Sequence, residues 1–344
     1  MKKSSTLIII GILLLLGAFS VYVYKHKNIS STVDTDARNF KYKDTAAITK
    51  IFIADKEGDQ SIIERTKSGW IVNNKFPCRS DAILNLLEAV KNVEVKMPVH
   101  KNAKESVLKI MASSALKVEI YAGGELVKQY YVGHETPDSE GSYMLLTDVD
   151  SGKNYDQPYV CFIPGFVGYL IPRFIAKENE WRDRVVMNYI PPQVKQIKVD
   201  NFENPDSSFT IELLNTKTFK LKNNKNSEIA FDEFKMKQYI AYFQNVSYET
   251  LFTGRNQKLS DSLLKAKPFN MITVARTDFK TDVFKFYHRP APNTIPEYGV
   301  VHKYDPDRMY LSFANAKEWA VIQNFVFGKL LVSPDYFSPA SVKK

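Results

Sequence analysis

Cysteine is scarce: Cys78 and Cys161 are the two in 344 residues. That excludes a disulfide-dense scaffold. The chain also lacks a Gly-rich phosphate loop, a C-x-x-C pair, an H-E-x-x-H helix and a G-x-S-x-G elbow. These absences remove the commonest nucleotide-binding, redox, zinc-protease and serine-hydrolase signatures. The five histidines, His26, His100, His134, His288 and His302, are never spaced as a metal pair on one helix or strand. No metal and no cofactor is expected.

Charge of one sign is less abundant than it first looks. The net charge is +9, yet Lys2, Lys3, Lys25 and Lys27 lie in the first 27 residues, which carry no acid. The remainder keeps a mild +5, too weak for a nucleic-acid surface. Between those lysines runs LIIIGILLLLGAFSVYVY, residues 7–24, uncharged throughout. As a helix it is about 27 Å long, close to the ~30 Å hydrocarbon core. Tyr22 and Tyr24 sit at its far end, where amphipathic rings prefer the interface. A cleaved signal peptide competes with an uncleaved anchor, since Ala18-Phe19-Ser20 offers small residues. The apolar run continues past that point and favours the anchor.

The expected plan is a cytoplasmic tail (1–6), a signal anchor (7–24) and a polar tether (25–47) reaching at most ~75 Å. The N-terminus stays inside, at the inner membrane, and the bulk of the chain is periplasmic. The cysteines decide nothing here. A Cys78–Cys161 bridge is one reading; two buried thiols is the other, favoured by the apolar run around Cys161.

Two α+β domains follow, 48–190 and 191–344, divided at Pro191-Pro192. They read as an internal duplication. ITKIFIAD is answered by VKQIKVDN, and each opens a three-strand meander. Ser80 and Asp81 then start a helix with a stripe at Ile83, Leu86, Leu87 and Val90; Asp232 and Glu233 start one striped at Met236, Tyr239, Ile240 and Phe243. Shorter helices follow near 107–111 and 260–266. Mainly antiparallel strands resume, with helices expected on one face of each sheet. Each copy closes on an apolar stretch, 167–174 and 319–337, expected to be helical. A cleft between the halves is a natural place for a ligand.

Candidate site residues are few. Arg173, Arg182, Asp183 and Arg184 could bind a carboxylate or phosphate, against the plainer reading of a salt-bridge network pinning the connection. His134 and Glu135, with Asp138 nearby, form the best local acid/base cluster, in a loop whose solvation explains it as well. The 22 Phe and 19 Tyr invite a glycan reading, but strand alternation and helix stripes assign most of them to the core. The proline-bearing segment 289–305, which has no counterpart in the first copy, is the pick for a functional loop.

The segments DTAAITKIFIAD, SGWIVNN, VGHETPDSEGSYMLL, PYVCFIPGFVGYLIPRF and EWRDRVV together resemble the bacterial domain-of-unknown-function family numbered 4340, in the single-anchor form seen in Bacteroidota. The resemblance runs over about residues 40–250 and more weakly to the end. It implies no established activity. It implies an extracytoplasmic accessory subunit of an envelope ABC-type transporter. The leading expectation is therefore a noncatalytic, membrane-anchored binding or scaffold protein. The alternatives are a periplasmic ligand- or cell-wall-binding protein using the cleft, and, more weakly, an envelope enzyme built on His134 and Glu135.

Overall fold

The computed structural model describes residues 36–252, 256–291 and 302–339. The expected tail and anchor, the first part of the tether and most of the 289–305 segment lie outside these residues. Among the described residues, no helix is long and apolar enough to cross a membrane. The chain divides into two compact units between Asp183 and Arg184.

The first unit runs β1 (Ile48–Ala54), β2 (Gln60–Thr66), β3 (Gly69–Val72), β4 (Phe76–Pro77), α1 (Ser80–Asn92), β5 (Glu94–Pro98), α2 (Lys101–Ser114), β6 (Leu116–Ala122), β7 (Glu125–Glu135), β8 (Ser142–Thr147), β9 (Tyr159–Phe162) and the short α3 (Glu178–Trp181). The second runs β10 (Val185–Met187), β11 (Val194–Asn201), β12 (Phe209–Leu213), β13 (Phe219–Asn223), β14 (Glu228–Ile229), α4 (Glu233–Ala241), β15 (Val246–Ser247), β16 (Thr250–Leu251), α5 (Gln257–Lys265), β17 (Asn270–Arg276), β18 (Thr281–Pro290), β19 (Tyr304–Phe313), β20 (Glu318–Gln323) and α6 (Asn324–Phe327).

Each unit holds a nine-stranded sheet. The orders are β4-β3-β2-β1-β6-β7-β8-β9-β5 and β14-β13-β12-β11-β17-β18-β19-β20-β16, and strand for strand they are the same. The described pairs are antiparallel, as expected. The chain leaves the meander at one edge, crosses by a helix to the far edge, and returns by a second helix to the sheet centre.

The two helices of a unit cover opposite faces, not one face. On α1, Ala82, Ile83, Leu86, Ala89 and Val90 pack with Ile51, Ile53, Val118, Val132, Met144 and Leu146. On α2, Val107 and Met111 pack with Leu145 and Val160. Leu145 and Leu146 are consecutive in β8 and therefore point to opposite sides, yet both are buried. Only a sheet covered on both faces allows that. In the second unit α4 buries Met236, Tyr239 and Ile240, while Leu263 of α5 joins Phe252, Tyr287 and Trp319 in a separate cluster.

Several local expectations shift. Arg79, not Ser80, holds the N-cap position of α1, and no side chain caps that helix. Asp232 does cap α4, accepting from the Lys235 N–H at 2.9 Å. The stretch 319–337 opens as strand β20 and continues in short helical turns. The units divide upstream of Pro191-Pro192 because β10, which precedes that pair, is hydrogen-bonded to β15. Cys78 and Cys161 are both free thiols. Burial pushes Cys78 up to about 12 and Cys161 well above the ordinary thiol value.

Candidate functional site

The segment that follows β9, residues 163–174, is pinned at one end and presented at the other. Leu170 is buried, and its N–H donates to the buried Ser142 hydroxyl at 2.9 Å. Phe174 packs edge-on against Tyr130 with centroids 6.0 Å apart. Gly168 sits at φ +140°, and a Cβ there would meet the Phe166 ring at 3.0 Å. The turn so formed leaves Phe166, Val167 and Tyr169 exposed, Val167 to 88%. Three large apolar side chains exposed within four residues are unusual for a solvated loop.

Beside them opens a cavity of about 520 Å³ lined by Arg79, Asn85, Phe166, Tyr169, Pro172 and Arg173. Arg173 lies over the Phe166 ring at 4.5 Å, pairs with Glu88 and donates to the Asn85 carbonyl at 3.3 Å. Arg79 behaves differently. Its buried Nε makes no hydrogen bond among the described residues, but it ion-pairs with Asp81 at 3.5 Å. A guanidinium carries five donors in a rigid fork suited to a carboxylate. Among the described residues, that ion pair is the one polar contact the Arg79 side chain makes.

The remaining candidates separate. Arg182 stacks on the Phe76 ring at 3.6 Å and does not line this cavity. It is bridged in antiparallel fashion to Cys78, and the Asp183 N–H donates to the Pro77 carbonyl at 2.8 Å. These two residues therefore lie along the edge of the first unit. Arg184 falls in the second, where its carbonyl accepts from the Tyr248 N–H at 3.0 Å. The arginine cluster of the sequence is thus split, and Arg173 alone reaches a cavity wall.

The acid/base candidates do not meet either. His134 packs against Tyr143 at 5.0 Å, its Nδ1 buried and without a hydrogen bond, while Glu135 is exposed. No hydrogen bond or ion pair joins them among the described residues. The loop after them is a tied structural turn. The Thr136 hydroxyl donates to Asp138, and Lys96 reaches Glu140 at 2.9 Å. The Thr136 hydrogen bond, then the Glu140 N–H, holds the Asp138 carboxyl below the usual range. Gly141 closes this turn, since a Cβ would stand 2.9 Å from the Cys161 carbonyl oxygen. Asp55, Glu57 and Asp59 bring ligand atoms within 4.8 Å of one another. Asp55 Oδ1 is committed to the N–H groups of Glu57 and Asp59, so the cluster is accounted for as a turn.

The pattern that defines the domain of unknown function DUF4340 matches residues 70–267. The chain belongs to that family. The matched stretch includes every residue lining the cavity beside Phe166. No curated protein matches the chain, and no solved structure does. The loop I-P-G-F-V-G-Y-L-I-P-R-F, which lies within the matched residues, is what positions Phe166, Val167, Tyr169 and Arg173. Arg79 was missed by sequence reasoning; it lies far from that loop in the chain and has no motif of its own.

Ser142 controls the presentation of this loop. Ser142→Ala leaves the Leu170 N–H without its acceptor in a buried place, a cost of about 1–3 kcal/mol. Amide exchange at Leu170 then rises by about tenfold to a hundredfold, measured by native-state hydrogen exchange. An unchanged Leu170 rate sinks the assignment.

Proposed function

We propose that this chain is a noncatalytic binding module, anchored by residues 7–24 in the inner membrane with both units outside the cytoplasm. It docks a protein partner on the first unit, at Phe166, Val167, Tyr169 and Arg79. The carrying observation is the coincidence of exposed apolar side chains with a half-buried arginine whose side chain makes no hydrogen bond among the described residues and pairs only with the exposed Asp81. Apolar anchors flanked by a guanidinium are the composition of an interface hot spot. That His134 and Glu135 share no hydrogen bond or ion pair among the described residues supports the noncatalytic reading over an envelope enzyme. The family resemblance favours a subunit of an envelope ABC-type transporter as the partner. The shared strand order of the two sheets supports an origin by internal duplication.

The test uses the full-length chain in its native membrane, with a photo-crosslinking side chain at position 167. Illumination gives one discrete adduct with a membrane-complex protein. Arg79→Glu lowers its yield by about tenfold or more, as loss of a central interface contact does. Recovery of a monomeric chain without an adduct, or its release by alkaline carbonate, overturns the reading.

A further inference from the structure

A second cavity, about 480 Å³, opens on the second unit. Its chemistry is unlike the first. Lys198, Asp200 and Thr210 project from one face of β11 and β12, opposite the core-facing Ile197 and Val199, and Lys198 pairs with Thr210 in register. Phe202 and Lys267 complete the wall, with the Lys267 ammonium 5.6 Å from the Phe202 ring. Asn201 and Asn223 form the rim.

The polar groups here are unevenly spent. Asp200 Oδ1 accepts from Lys198 at 2.9 Å, but Oδ2 is buried with no donor. An ionised oxygen in that position is costly unless something donates to it. The side-chain oxygens of Asn201 and Asn223 accept from nearby backbone N–H groups and hold their turns. Their amide nitrogens and the Thr210 hydroxyl make no hydrogen bond among the described residues. One acceptor and several donors thus surround a space with an aromatic ring at its wall.

We infer that this cavity binds a saccharide. A sugar hydroxyl donates and accepts at one oxygen, so it can satisfy Asp200 Oδ2 and take a bond from an asparagine amide or Lys267. The Phe202 ring offers an apolar surface to the C–H face of a pyranose. Asp200 is already paired with Lys198, and its Oδ2 needs a donor, which a sugar hydroxyl has and an ionised phosphate or carboxylate lacks. The volume lies in the range of small-molecule sites. All the named residues fall within the family match, and the site is independent of the docking surface on the first unit.

Titration calorimetry with the full-length chain tests it, using tetramers of N-acetylglucosamine, glucose (maltotetraose) and galacturonate as probes. At least one binds with Kd at or below about 1 mM, and Val167→Ser leaves that Kd unchanged. Asp200→Asn or Lys267→Ala weakens it by about tenfold or more. Lys267 is exposed, so its truncation cannot be confused with misfolding. Absence of binding by all three probes at about 10 mM overturns the proposal, as does a Kd that moves less than tenfold in both variants.

Discussion

A fragment cut to the family match, residues 70–267, does not fold. Circular dichroism shows no cooperative melt, and a dye for exposed apolar surface binds at all temperatures. The reason is topological. β1 stands between β2 and β6 inside the first sheet, and both β1 and β2 lie upstream of residue 70. Their removal separates β3 and β4 from the rest and deletes Ile48, Ile51, Ile53 and Ile63 from the core. In the second unit the cut removes β17, β18, β19 and β20, and with them Ile272, Val274, Phe286, Leu311, Ile322, Phe327, Leu330 and Phe337. Two sheets opened at buried positions expose backbone pairs and apolar faces together. A fragment spanning 36–344 keeps both sheets whole and melts cooperatively. Cooperative melting of 70–267 would mean that the strand order described here is wrong.

The contrast shows what the sequence made legible. The helix stripes at Ile83, Leu86, Leu87 and Val90, and at Met236, Tyr239, Ile240 and Phe243, were readable because each helix buries one face only. β20 was misread for the opposite reason. Trp319, Ala320 and Ile322 are buried on both sides of the sheet, so its apolar residues do not alternate and resemble a helix. The same continuity in Met144-Leu145-Leu146 was the available signal that helices cover both faces. β5 gave none: as an edge strand it is mostly exposed and carries no apolar period.

Site residues follow a similar division. Arg173 was legible because it belongs to a dense local motif. Arg79 was not, because its meeting with Phe166 depends on α1 packing beside the segment after β9. Arg182 and Asp183 looked functional by proximity in the chain, yet their backbone runs along Pro77 and Cys78 as part of the unit's edge. Charge density in a short segment cannot distinguish a ligand contact from a stacked, structural arginine.

Trp181→Ala lowers the stability of the first unit by about 3–5 kcal/mol. Trp181 is fully buried among the core residues of that unit, and its Nε1–H donates to the Ile175 carbonyl at 2.7 Å. Truncation therefore leaves a cavity and an unpaired carbonyl at once. The effect reaches the Arg79 side of the docking surface, because the Trp181 carbonyl accepts from the Arg79 N–H at 2.8 Å and the following residues brace Pro77 and Cys78. With three tryptophans in the chain, the measurement is direct. In a Trp319→Phe background the variant keeps Trp70 alone, a residue packed against the same core beneath the Arg65 guanidinium. Its fluorescence then reports the first unit. At a urea slope of about 2 kcal/mol per molar, the midpoint falls by about 1.5–2.5 M. Trp181→Phe retains most of the ring volume and loses the hydrogen bond, so its midpoint falls by less than half as much. Equal shifts for the two variants would assign the effect to the lost hydrogen bond alone; a shift below about 0.5 M for alanine would remove Trp181 from the core.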